Sequence, residues 1–199
     1  MALIVLLRGI NVGGHRAFRP KLLAQELRAF DVVNIGATGT FVVRNPGSRA
    51  HLRAALHSRL PATTQFVFCE GRDLLQLATK IPFDEPSPDP DFIRFVSFLG
   101  TVSRARPSLP ITIPPARNWF VRVTTLTKRL ALGEYRRHMK TIGYLGQLDT
   151  LFGTLVTTRS WTTVNAIVQT LEACGNTNQK NRSPLTGRIA TKRPDDRCN

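Results

Sequence analysis

Ala2-Leu3-Ile4-Val5-Leu6-Leu7-Arg8-Gly9 is the stretch on which the fold turns. Six apolar residues, mostly branched, end at a cation and a glycine, which is the signature of a short buried strand. Working outward, Gly9 to Phe18 reads as a glycine-rich loop. Pro20 to Phe30 reads as a helix, because Leu23, Leu27 and Phe30 fall on one face and Pro20 suits a first helical turn. Asp31 to Ile35 and Thr40 to Arg44 form two short strands around a Gly36 to Gly39 turn. Ser48 then caps a helix bearing Leu52, Leu56 and Leu60, Pro61 stops it, and Thr64 to Cys69 supplies another strand.

The order β-α-β-β-α-β predicts a ferredoxin-like split β-α-β unit in about 70 residues, with two helices covering one face of an antiparallel sheet. A linking helix from Gly71 through Lys80 completes residues 1–81. Four prolines within Pro82 to Pro90 make residues 82–90 a semi-rigid linker and the expected domain boundary. Residues 91–174 are expected to form a second α+β subdomain, also ferredoxin-like and antiparallel. Its strands are Asp91 to Leu99, Pro110 to Ile113, Asn118 to Thr124 and, as strand or turn, Arg129 to Tyr135, with a short helical start at Ser103 to Arg106. Ser160 to Cys174 is a helix with Trp161, Val164, Ile167, Val168 and Leu171 on one face, capped by Ser160 and stopped by Gly175. Residues 175–199 read as a disordered basic tail.

The 199 residues carry 28 Lys and Arg against 13 Asp and Glu, a formal charge of +15. Six cations against Asp195 and Asp196 give the tail a surplus of four, and the rest of the chain keeps eleven. That excess favours anionic partners, whether small molecules or phosphate polymers. A hydrophobic content of 42% excludes a wholly disordered chain. The opening apolar run is shorter than the roughly 7–15 residues of a signal-peptide core, and no run approaches the roughly 20 of a membrane span. The chain is therefore expected to be cytoplasmic, without a membrane partner. Cys69, Cys174 and Cys198 form no CxxC pair and no cluster with histidine, so neither a disulfide framework nor a metal site is expected. No cofactor motif is present either.

Two segments carry the candidate chemistry. In Arg8-Gly9-Ile10-Asn11-Val12-Gly13-Gly14-His15-Arg16 the glycines allow backbone N–H groups close to an anion, and Arg8, His15 and Arg16 add charge. Gly9 and Gly14 match the glycine spacing of a P-loop, but His15 and Arg16 stand where Lys and Ser/Thr are required, which excludes that motif. In Thr154 to Val164, the residues Thr158, Arg159 and Trp161 are expected at a helix N-terminus, where orphan N–H groups attract anions. No GxSxG nucleophile occurs, and His51 and His57 fall on different helix faces, so acid–base work would default to His15. Three readings stay open. One is a module binding a phosphate or carboxylate through Arg8, Gly9, Asn11, Gly13, Gly14, Arg16, Thr158, Arg159 and Trp161. Another is a small enzyme acting on such a substrate through His15, and the third is a non-specific nucleic-acid binder driven by net charge.

At both segments the chain resembles the bacterial domain-of-unknown-function family 1697. Leu7-Arg8-Gly9-Ile10-Asn11-Val12-Gly13-Gly14 is similar to the family's opening run, and Val156-Thr157-Thr158-Arg159-Ser160-Trp161-Thr162-Thr163-Val164 to its closing one. The similarity spans roughly residues 2–173. It implies two α+β subdomains of ferredoxin-like character and no established activity. Ala37-Thr38-Gly39-Thr40-Phe41 departs from the family's Gln-Ser-Gly-Asn-Val turn, and Ser160 and Thr162 replace two asparagines of the closing run. Ligand contacts made by those amides would be altered or absent in this chain.

Overall fold

A computed structural model describes residues 1–9, 18–80, 89–103, 105, 107–115 and 117–180. The opening run is β1 (Leu3–Arg8), which pairs antiparallel with β3 (Thr40–Val43) on one side and β4 (Gln65–Glu70) on the other. With β2 (Val32–Ile35) at the edge, the first sheet has the order β2-β3-β1-β4. Alternation along β1 divides its side chains between two cores. Leu3, Val5 and Leu7 pack beneath α1 (Pro20–Glu26) and α2 (Arg49–His57), against Leu27, Leu52 and Leu56. Ile4 and Leu6 face the opposite way. Each such fully buried side chain stabilises the fold by about 1.5–3 kcal/mol relative to exposure. The Ser48 hydroxyl accepts the His51 N–H at 3.1 Å, the N-cap that the sequence predicts. The first helix is shorter than predicted: after Glu26 the chain tightens into a 3-10 turn at Arg28–Phe30, and Asp31 leaves it with φ +51°.

A five-stranded sheet follows, with order β6-β7-β8-β5-β9, built from β5 (Phe92–Leu99), β6 (Ile111–Ile113), β7 (Val121–Leu126), β8 (Leu130–Arg136) and β9 (Val156–Ser160). All its pairings are antiparallel. β8 lies against β7 closely enough that a Cβ on Gly133 would sit 1.9 Å from the Arg122 carbonyl oxygen, so only glycine fits there. Among the described residues no helix separates β5 from β8, so the second half does not repeat the β-α-β-β-α-β order of the first. Two short helices, α4 (Thr141–Gly146) and α5 (Leu148–Phe152), come after those four strands and cover the outer face over Phe95, Leu99, Val121 and Val123.

The inner faces of the two sheets share one core. α3 (Gly71–Ala78) and α6 (Trp161–Lys180) contribute Leu74, Leu77, Val164, Ile167, Val168 and Leu171 to it, between Ile4, Leu6 and Val42 of one sheet and Val96, Phe98 and Leu132 of the other. Two expectations about α6 change. It continues through Gly175 to Lys180, since a glycine inside a helix costs only about 1 kcal/mol and is no obligatory stop. The segment before it, Val156–Ser160, is a strand and not a lead-in to the helix. Of the expected Ser103 to Arg106 helical start, Ser103 and Ala105 are not helical and the other two residues lie outside the described ones, as do most of the 82–90 linker and residues 181–199 of the tail. No described helix is long and apolar enough to cross a membrane.

Candidate functional site

β9 sits at an edge of the second sheet, so one of its margins carries backbone N–H and C=O groups not taken up by a neighbouring strand. The end of β1, the β2–β3 turn and α4 stand around it, leaving a cavity of about 360 Å³. Leu7, Arg8, Gly9, Thr38 and Val156 to Arg159 line it, with Ile142, Leu145 and Gly146 as the wall from α4. Gly9 takes φ +73°, a left-handed conformation costly for other residues, and turns the chain out of β1 beside Arg8.

Arg159 is the centre of this arrangement. Its side chain points inward from β9 and is 9% exposed. Nε donates to Thr40 Oγ1 at 2.6 Å, and Nη2 donates to the carbonyls of Leu7 at 2.7 Å and Thr38 at 3.0 Å. Nη1 donates to the Thr158 carbonyl at 2.8 Å. These partners are all neutral. Burial pulls the guanidinium down to a pKa of about 10, which still leaves it charged at neutral pH. Arg8, by contrast, donates through Nη1 to Asp149 Oδ2, and Asp149 Oδ1 accepts the Val156 N–H at 2.9 Å. Among the described residues, two guanidinium groups against one carboxylate leave a positive surplus around the cavity. Thr157, also lining it, is 3% exposed and its Oγ1 is buried without a hydrogen-bond partner. The Thr158 hydroxyl shares a hydrogen bond of 2.7 Å with Ser97.

The structure thus brings Arg8, Gly9, Thr158 and Arg159 to one cavity. Trp161 is elsewhere: it is buried in the core between the sheets, with the Arg94 guanidinium 4.1 Å from its ring centroid. The cavity is lined by strand β9, not by the N-terminus of α6, so strand-edge groups and arginines replace the helix dipole expected there. Asn11, Gly13, Gly14, His15 and Arg16 lie outside the described residues. Sequence reasoning overlooked Thr157, Thr38 and Asp149. Thr157 stood inside the quoted closing segment, and Thr38 and Thr40 stand in the turn that departs from the family pattern. Nothing in the sequence around Asp149 marks it. Among the described residues no group of three or more His, Cys, Asp or Glu could hold a metal ion.

Fold and site define an α+β protein of two antiparallel sheets, with an open cavity lined by Arg8 and Arg159 where β9 meets the end of β1. The chain belongs to the family described as "Protein of unknown function (DUF1697)", whose pattern matches residues 1–108. That match takes in the first sheet, α3 and β5, and ends before the closing segment at Val156 to Val164, short of the 2–173 span expected from the motifs. No curated protein and no solved structure matches the chain.

Proposed function

We propose that the cavity beside β9 binds a small molecule bearing a phosphate or carboxylate group. The observation that carries this reading is Arg159: a charge buried to 9% exposure with only neutral hydrogen-bond partners, lining an open cavity. Taking a cation out of water is costly unless an opposite charge approaches it, and a bound anion would supply that charge. Arg8 adds a second cation, and Thr157 lines the same cavity with a buried hydroxyl that has no hydrogen-bond partner. Ile142, Leu145 and Val156 give the ligand's body an apolar wall. We also infer that the first sheet is a ferredoxin-like split β-α-β unit, which its element order and its strand order β2-β3-β1-β4 support.

Calorimetric titration of the full chain with inorganic phosphate, sulfate and acetate at low ionic strength tests the reading. Binding of at least one anion is expected, weakened about fivefold or more in Thr157→Val and in Arg8→Gln. Equal affinity in the wild type and both variants would move the anion away from this cavity, and heat no greater than with matched chloride would remove the reading.

A further inference from the structure

Among the described residues, the inner face of the second sheet is only partly covered. α6 packs over Val96, Phe98, Leu130 and Leu132, whereas the remaining rows of β5, β8 and β7 carry a different set of side chains. Phe92 lies opposite Arg136, Arg94 opposite Glu134, and Arg122 opposite Glu134 from the other side. Side chains two apart on a strand, or directly paired across strands, share one face, so these residues form a continuous patch. Trp119, just before β7, joins its margin: its ring is 5.0 Å from Phe92 between centroids. The Arg136 guanidinium lies 5.0 Å from the Phe92 ring centroid and 5.7 Å from that of Trp119, and Arg122 lies 5.1 Å from Trp119. Arg122 pairs with Glu134 at 3.0 Å, with 40% of its side chain exposed.

We propose that this patch is a binding surface for single-stranded nucleic acid. Among the described residues, Arg122 and Arg136 stand against the single Glu134 carboxylate, a surplus that matches a polyanion in a chain whose formal charge is +15. Charge alone would serve an acidic peptide equally well. What favours nucleic acid is that the same face interleaves the cations with flat aromatic rings. Guanidinium planes and rings layered together accept the π-face of an unpaired base, while outer N–H groups meet phosphates. A duplex hides its base faces and offers only the phosphates. The patch shares no residue with the cavity beside β9, so it stands or falls separately.

The test is fluorescence anisotropy of the full chain with a labelled 12-nucleotide oligouridine across a salt series. Trp119→Leu is expected to weaken binding roughly fivefold or more by removing the stacking surface, with an unchanged salt slope. The pair Arg122→Gln and Arg136→Gln is expected to weaken binding and flatten that slope by about 0.7 for each phosphate no longer neutralised. The pair Lys21→Gln and Arg28→Gln, equal in charge but on exposed positions of the first helical region, should change affinity far less. Thr157→Val should leave it unchanged. Trp119→Phe keeps a ring and should retain most of the affinity, which keeps the test decisive if the leucine variant does not fold. Equal losses from the two charge pairs would reduce the effect to diffuse charge and overturn the proposal. So would a duplex of the same length binding as tightly, or polyglutamate competing as well as unlabelled oligouridine at equal charge.

Discussion

Arg159 crosses from β9 to the carbonyls of Leu7 and Thr38 in the first sheet, and Arg129, in the turn between β7 and β8, crosses to the carbonyl of Phe68. The two residues join the same pair of sheets with different chemistry. Arg159 is buried and makes four hydrogen bonds of 3.0 Å or less. Arg129 is half-buried and makes one short bond, 2.8 Å to the Gly100 carbonyl, while the Phe68 and Leu99 carbonyls stand at 3.4 and 3.5 Å. Water can solvate Arg129 and help neutralise it, whereas the Arg159 charge must be answered by the protein or by a ligand. That contrast is why one crossing point reads as a fastening and the other as part of a site.

Replacing each arginine by methionine should separate them most sharply. Arg159→Met leaves the Leu7 and Thr38 carbonyls without this donor in a buried setting. A buried group left unsatisfied costs about 1–3 kcal/mol, so a total loss near 3 kcal/mol is expected. Arg129→Met removes one good hydrogen bond at a wetter place and should cost about 1 kcal/mol. Urea unfolding of both variants measures the difference, and equal losses would break the comparison.

Cys69 gives the Arg129 end a pH dependence of its own. Burial, with smaller contributions from Asp73 and Glu70, pushes its thiol up to about 12 from 9.0, although Arg129 and Arg49 pull the other way. The folded state therefore keeps a proton that the unfolded chain releases, and stability present below pH 9 is lost as pH rises toward 12. By pH 10 the loss is on the order of 1 kcal/mol. Arg159 works in the opposite direction, because its folded pKa is lowered and the unfolded chain holds more protons above pH 10. Comparing wild type with Cys69→Ala cancels the arginine. The wild type should lose on the order of 1 kcal/mol more than the variant between pH 8 and pH 10. Parallel curves would mean that the thiol ionises as freely in the folded state as in the unfolded one.

The first sheet was legible because its buried strand positions are apolar, Thr40 excepted, and the β2–β3 turn carries Gly36 and Gly39. Leu3 to Leu7 and Thr40 to Val43 announce themselves without help from the rest of the chain. β9 was not legible for a related reason. Its inward positions are Thr157 and Arg159, and a strand whose buried side chains are polar gives no apolar run to read. The arginine is tolerated there only because Leu7, Thr38 and Thr40, more than a hundred residues away, supply acceptors. α4 and α5 were missed because helices of six and five residues are too short to show a period. The sequence suits Trp161 to display at a helix start, but burial of its indole against the core takes precedence over display. In the site, Arg8 and Arg159 could be found as cations near glycine and threonine. The role of Asp149 depends on α5 folding back onto β9, which local sequence does not encode.

Two adjacent threonines narrow the comparison to a single hydroxyl. Thr157 and Thr158 have the same side chain and neighbouring places on β9, and alternation along the strand sends them to opposite faces. The Thr158 hydroxyl is bonded to Ser97, which is itself fully buried. Thr158→Val should therefore cost about 1 kcal/mol or more, since the Ser97 hydroxyl is left without its partner. Thr157 Oγ1 has no partner to lose. Thr157→Val keeps the branched shape, removes a buried unsatisfied group, and should leave stability within about 0.5 kcal/mol or raise it slightly. If the hydroxyl is there for a ligand, the same variant that leaves unfolding untouched should lose anion affinity, and Thr158→Val should show the reverse. A Thr157→Val chain destabilised as much as Thr158→Val would mean that its hydroxyl already has a structural partner, and the cavity would lose the donor that suits it to a ligand.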